Sequence, residues 1–320
     1  MVEQHFNTEL ETEPKNKHID TFLRKEPKIL RKLDEMVEET NEFSLKQHLY
    51  FSLMKLTNDV KTFKSELIGY IANDPNIAQA IVKKATMMTK RSISSTLTPK
   101  ITKLDVQKSI QRLGYGAVHN ELQLNYAKQY VELFEKSQDA EFKNLIKKSV
   151  TMAFLTVELA KLVEYKDTTA AFFAGMNYFV AEQVLFLRER PRYDEFAKLT
   201  QKGLDAKTSG LASFGFLLGE LSAKMLTKWH MPDIVIDVVS NKERPEDIRK
   251  NHYKLDNLLR FANYVHTAIE NPEATPASIW ALANDHLLRM DLEIDYDTWQ
   301  EEIKTIFIKV LETRYSLFNA

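Results

Sequence analysis

Thr168–Arg188, TTAAFFAGMNYFVAEQVLFLR, is the stretch whose reading decides the fold. Between Ala170 and Phe186 the strongly polar residues are Asn177, Glu182 and Gln183, and apolar positions run round every side of a helix. Such a helix is buried among others, not laid on a surface. Ala170, Ala171, Ala174 and Gly175 are small enough to let neighbouring helix backbones come close. Asn177, the first polar group inside the run, needs a hydrogen-bond partner there. A segment of about 20 residues is long enough to cross a bilayer. Yet Glu182 and Gln183 lie within it, and the chain around it is densely charged. The reading is one central helix of a helical domain, with no membrane involved.

The rest of the composition agrees. Over 320 residues, 28% are charged, 44% are hydrophobic and the formal net charge is −1. That balance lacks the basic excess of a dedicated nucleic-acid binder and disfavours nucleic acid as a partner. Cysteine is absent, which removes disulfides, thiolate catalysis and cysteine-ligated metals. The start, MVEQHFNTELETEPKNKH, is polar and lacks the apolar core of a signal peptide, so a cytoplasmic location is expected. Only 8 glycines and 9 prolines punctuate the chain, which favours long helices.

Outward from the central stretch, helical spacing recurs almost everywhere. PKILRKLDEMVEE, after Glu26, is a first amphipathic helix, and Phe43 to Ala72 continues in the same style. Asp74 is a candidate N-cap with Pro75 at the first helical position. Periodicity resumes at Lys103 and ends at Gly114, a C-cap residue. Tyr115–Lys136 and Phe142–Leu162 are long helices with short joints. RERPRY, Arg188–Tyr193, breaks the series, and Gly210–Trp229 is expected as one further long helix. Ile234–Val239, Lys254–Ile269, Pro276–Arg289 and Tyr296–Leu317 complete an all-α chain. Met87, Met88, Phe172 and Phe173 read as core packing. The closing helix fits its own domain or a second subunit equally well, so a homo-oligomer stays open.

Four pieces in order carry a resemblance. DPNIAQAIVKKA (Asp74–Ala85) resembles a "DPxLxxxLLxxAN" helix, and ITKLDVQKSIQRLG (Ile101–Gly114) resembles "IxSLxxAIxxLG". AAFFAGMNYF (Ala170–Phe179) stands where "AFLAGLLHDIG" would be, and FGFLLGELSAKMLTKWHMP (Phe214–Pro232) where "FDHAEVGALLLxxWxLP" would be. These are motifs of the HDOD group, the HD-related output domains of bacterial signalling proteins. The resemblance implies a multi-helix bundle of the HD type and a regulatory role, usually without catalysis. It divides the chain into a polar lead-in and first helix (1–40), an HDOD-like domain (41–250) and a C-terminal helical extension packed on it (251–320).

HD hydrolases hold divalent ions with clustered imidazoles and carboxylates, which activate a water. At the positions the resemblance assigns to those ligands this chain has Lys148, the pair Asn177 and Tyr178, Leu218, the pair Lys242 and Glu243, and Asn263. Glu220 survives beside Leu218, and Pro245 after the pair. Lysine and leucine do not ligate a hard cation. The expectation is therefore a degenerate site: no metal, no cofactor and no enzyme. His119, His230, His252, His266 and His286 are scattered without ligand spacing. Asn177 is a candidate binding residue at the old site, weighed against an internal hydrogen bond that fixes helix register.

A second candidate site is basic. From Pro75 to Leu104 there is no Asp or Glu, while Lys83, Lys84, Lys90, Arg91, Lys100 and Lys103 fall within it among serines and threonines. Lys90, Arg91 and Lys100 are its candidate ligand-binding residues, for a small anion or nucleotide; the alternative is a solvated face. Arg188, Arg190 and Arg192 form a smaller group, expected to be neutralised by Glu189, Asp194 and Glu195. The function expected from all this is signal transduction by binding a protein partner in trans. A nucleotide-binding effector and a diverged HD phosphohydrolase are the alternatives.

Overall fold

Apolar residues three and four apart give helices, and no strand occurs among the described residues. The computed structural model describes residues 27–40, 46–58, 64–88, 101–135, 137, 139–243, 253–270, 276–290 and 295–319. In order the helices are α1 (Pro27–Glu39), α2 (Gln47–Asn58), α3 (Lys64–Asn73), α4 (Pro75–Met87), α5 (Lys103–Leu113) and α6 (Tyr115–Glu135). There follow α7 (Ala140–Leu162), α8 (Thr168–Met176), α9 (Val180–Arg188), α10 (Arg190–Gln201) and α11 (Ala206–Phe214). The series closes with α12 (Leu218–Lys228), α13 (Asp233–Ser240), α14 (Tyr253–Glu270), α15 (Pro276–Arg289) and α16 (Tyr296–Phe318).

Side chains placed at the helix starts take up the free N–H groups that every helix leaves there. Asp74 accepts from the backbone N–H of Asn76 and Ile77 at 3.1 and 3.3 Å, and Lys46 Nζ lies 2.8 Å from its other oxygen. Burial would raise the Asp74 carboxyl, but these donors hold it below its ordinary value. Thr102 and Asp105 cap α5 reciprocally, and Gly114 ends it with φ of 78°. Asp139, Asp167, Asp205 and Asp295 do the same work for α7, α8, α11 and α16.

The centre is the crossing of α7 and α8. A Cβ on Gly175 would lie 2.5 Å from the Met152 carbonyl oxygen and 2.8 Å from Ala153 Cα. The two backbones touch, which is the close approach the small residues permit. Around this pair pack α2, α9, α13 and the C-terminal helices α14 and α16, the last along α7. Phe172 and Phe173 are fully buried, as expected, and so is Trp299 of α16.

Three expectations are corrected. Thr168–Arg188 is not one helix: Asn177–Phe179 form a turn between α8 and α9. There Asn177 Nδ2 donates to the Phe173 carbonyl at 2.9 Å, and the Tyr178 and Val180 N–H groups reach back only three residues. The stretch is still the one described segment apolar and long enough to span a bilayer, and 78% of it is buried within the fold. Gly210–Trp229 also divides, because Gly215 takes a left-handed φ of 78° and ends α11. RERPRY does break the series, since α9 ends at Arg188 and Glu189 is not helical; α10 then starts at Arg190 with Pro191 in its first turn, where a missing N–H costs nothing. Met87 and Met88 are not core: they sit at the end of α4, 64% and 63% exposed.

Candidate functional site

Of the positions assigned to the old ligand set, Tyr178 and Lys242 meet where the α8–α9 turn touches the turn after α13, and Glu243 follows in that second turn. Lys242, in that second turn, sends its ammonium inward. Nζ donates to the Tyr178 carbonyl oxygen at 2.7 Å and to both Glu182 oxygens at 3.0 and 3.1 Å. It also lies 4.9 Å from the centre of the Tyr178 ring, a cation–π distance. The Lys242 and Glu182 side chains are only 4% and 13% exposed. A charge so deeply placed is tolerated only when paired and hydrogen-bonded, and here every partner comes from the α8–α9 segment.

Glu243, the next residue, turns to the start of α12. Its Oε2 accepts from the Gly219 N–H at 3.1 Å, while Oε1 is buried with no hydrogen-bond partner among the described residues. Burial pushes this carboxyl above its ordinary value; Lys242 and the Gly219 N–H oppose the shift, and Glu182 adds to it. Gly219 is required by space: a Cβ there would fall 2.1 Å from the Ser240 carbonyl oxygen. Leu218 is fully buried, and Glu220 accepts from the Leu217 N–H at 3.1 Å as a helix cap. From α14, Arg260 donates to the Asn241 carbonyl at 2.9 Å and pairs with Asp256 at 3.1 Å. Burial, then Glu182, holds the Tyr178 phenol above its ordinary range, so it stays protonated near neutral pH.

Asn177 lies one residue from this cluster but faces away into the core. Its amide donates to Gln47 Oε1 at 3.1 Å as well as to Phe173, and the residue is 1% exposed. Lys148 and Asn263 are half-buried on α7 and α14. Lys90, Arg91 and Lys100 lie outside the described residues, as do His252 and Pro245. Lys83, Lys84 and Lys103, at the edges of the basic stretch, are exposed, with Lys84 3.8 Å from Glu121. Arg190 is neutralised by Asp194 at 2.7 Å as expected, but also by Asp139 and Glu141 of the α7 start, at 2.8 and 2.9 Å.

The buried histidines serve structure. His119 Nδ1 meets Thr57 at 2.8 Å and His286 Nδ1 meets Asn257; burial lowers both imidazoles below their ordinary value. Among the described residues no three His, Asp or Glu side chains are grouped to hold a metal. The residues present do not fit a two-metal centre. Two carboxylates converge there, and an ammonium already sits against one of them. Sequence reasoning missed Gln47, Arg260 and Asp256. The signal for Lys242 was Glu182, a charge inside an apolar run that has to find a counter-ion.

The HDOD domain family model matches residues 45–245. The chain belongs to the HDOD family. HDOD-type architecture extends through solved structures of low sequence identity. A "putative phosphohydrolase" from Shewanella amazonensis SB2B aligns with a TM-score of 0.62 at 13% identity, over 90% of this chain and 97% of that one. An HDOD domain protein of unknown function from Geobacter sulfurreducens gives 0.60 at 13%, over 85% and 92%. A "putative signal transduction protein" from Marinobacter aquaeolei VT8 gives 0.57 at 15%, over 85% of this chain and 58% of that one. At these identities the likeness concerns the fold. No curated protein matches the chain. In this HDOD protein Lys242 is held by Tyr178 and Glu182 of the α8–α9 segment.

Proposed function

We propose that this HDOD protein is a non-catalytic component of signal transduction that acts by binding a protein partner in trans. The observation that supports this is the buried ammonium of Lys242 at the position where an HD hydrolase gathers its cations. A two-metal mechanism needs several anionic or imidazole ligands around water. Leu218 offers no donor and the Tyr178 phenol stays protonated, while the Asn177 NH2 donates to Gln47 and Phe173, away from Lys242. Lys242 would in addition repel an incoming cation.

The test is turnover by the intact protein. Phosphomonoesters, cyclic nucleotides and nucleoside triphosphates are incubated with it and Mg²⁺, Mn²⁺ or Fe²⁺, and no phosphate release above buffer is expected. Release that disappears in Glu182→Gln or Glu243→Gln would return the protein to the phosphohydrolases. Affinity capture from its native cytoplasm, followed by mass spectrometry, then identifies the partner.

A second reading, an effector that binds a nucleotide or another small anion, rests on the acid-free span from Pro75 to Leu104 and its exposed Lys83, Lys84 and Lys103. Under that reading, reversing Lys90, Arg91 and Lys100 to Glu weakens nucleotide binding and flattens its salt dependence without unfolding the protein. Equal affinity and salt dependence in calorimetry would leave the span a solvated face.

A further inference from the structure

A metal in an HD-type fold can serve structure as well as chemistry, by tying distant segments to one positive charge. Here the segments still meet but the charge is part of the chain. Tyr178 contributes a backbone carbonyl from the α8–α9 turn, and Glu182 both carboxylate oxygens from the first turn of α9. These three oxygens lie within 3.1 Å of one nitrogen. A second carboxylate, Glu243, lies close enough for the charges of Lys242 and Glu182 to act on it, with one oxygen committed to the α12 backbone and the other buried with no hydrogen bond among the described residues. We propose that Lys242 is a built-in replacement for a structural cation, and that its ammonium fills an all-oxygen pocket which a small inorganic cation occupies when that side chain is removed.

The chemistry of the donor set names the cation class. A carbonyl and two carboxylates, with no sulfur or imidazole, suit hard ions such as Ca²⁺, Mg²⁺ or Mn²⁺. Two carboxylates alone do not make a metal site; what distinguishes this pair is that Glu182 and the Tyr178 carbonyl already hold a cation, that of Lys242. Removing the ammonium leaves Glu182 buried beside Glu243 with no compensating charge, a more costly condition than losing the pair as a whole. The chain then has to take up a proton, draw in a cation, or open.

This rests on the reading of the site given above but fails separately from it, since wild-type turnover tests one and the behaviour of variants tests the other. The variants are Lys242→Met, which ends one atom short of the ammonium and leaves its place open, and Glu182→Gln/Lys242→Met, which removes both charges. Melting is followed in EDTA and in millimolar Ca²⁺ or Mn²⁺. The wild type should melt at one temperature throughout. Lys242→Met should melt lower in EDTA and recover by several degrees in the metal, as binding to the folded state alone requires. The double variant should recover much of the loss in EDTA and ignore the metal. If Lys242→Met does not fold in EDTA, the same comparison is made by refolding in Ca²⁺, and a folded product obtained only with metal counts as recovery. A Lys242→Met protein as stable as wild type overturns the proposal. So does one that metal does not help, and so does a double variant no better than the single.

Discussion

At the scale of single residues, Gly219 and Glu243 govern how the α13 end meets the α12 start. Alanine in a helix ordinarily gains up to ~1 kcal/mol over glycine. At Gly219 the added Cβ would fall 2.1 Å from a carbonyl oxygen, a backbone atom that cannot swing aside. Overpacking of that kind costs about 1–3 kcal/mol, so Gly219→Ala should lower stability despite the better propensity. Urea unfolding measures it, and an unchanged midpoint would mean that α13 is not seated there. Glu243 makes a pH prediction. Its carboxyl is raised in the folded state, so folding takes up protons between the ordinary carboxylate value and the raised one. The stability of the wild type relative to Glu243→Gln should therefore be greatest in acid and fall as pH rises through the raised value. A gap independent of pH would contradict the buried carboxyl. These residues also mark where sequence reading stops. That Asn177 needs a partner follows from its apolar surroundings, but the partner, Gln47, lies 130 residues away in the chain.

At the scale of elements, end signals were more legible than breaks. Asp74–Pro75, Lys103 and Gly114 mark α4 and α5 because capping is local chemistry written in adjacent residues. Thr102→Ala should remove the reciprocal cap of α5 and cost about 1 kcal/mol, read as a shift in the unfolding midpoint; no shift would mean that the cap is solvated away. The break at Asn177–Phe179 gives no such signal. A run that is apolar on every side has no stripe whose phase could change, so periodicity stays silent about a turn within it. The break at Gly215 was readable in principle, since glycine is the residue that takes φ above zero cheaply. Gly210 nearby competed for that reading, yet its place is set by Leu218, whose side chain a Cβ there would meet at 2.7 Å.

At the scale of the molecule, the C-terminal helices are joined to the rest by large side chains more than by charge. Trp299 is fully buried, with Trp280 5.1 Å away ring to ring. Trp299→Ala should cost about 3–5 kcal/mol. A pair such as Lys309–Glu158, whose lysine is exposed, is worth roughly 0–1 kcal/mol. Comparing Trp299→Ala with Lys309→Ala by denaturation checks the ranking, and equal losses would show that charge holds α16. The all-α class and the HDOD relationship were legible because both follow from many weak signals summed along the chain. The site was half legible. The absence of a ligand set could be read position by position, but the ion pair that fills the space depends on how two turns approach each other.

The way α16 lies along α7 also sets an order of events during synthesis. Lys309 reaches Glu158 across 151 positions of sequence, and Trp299 fills its place long after α7 has been made. A ribosome adds roughly 5–20 residues per second, so α7 waits on the order of ten seconds for its last covering helix. Throughout that wait its flank is open to other nascent chains. The helices after α14 are thus late additions to the core, and a chain lacking α16 would leave that side of α7 bare.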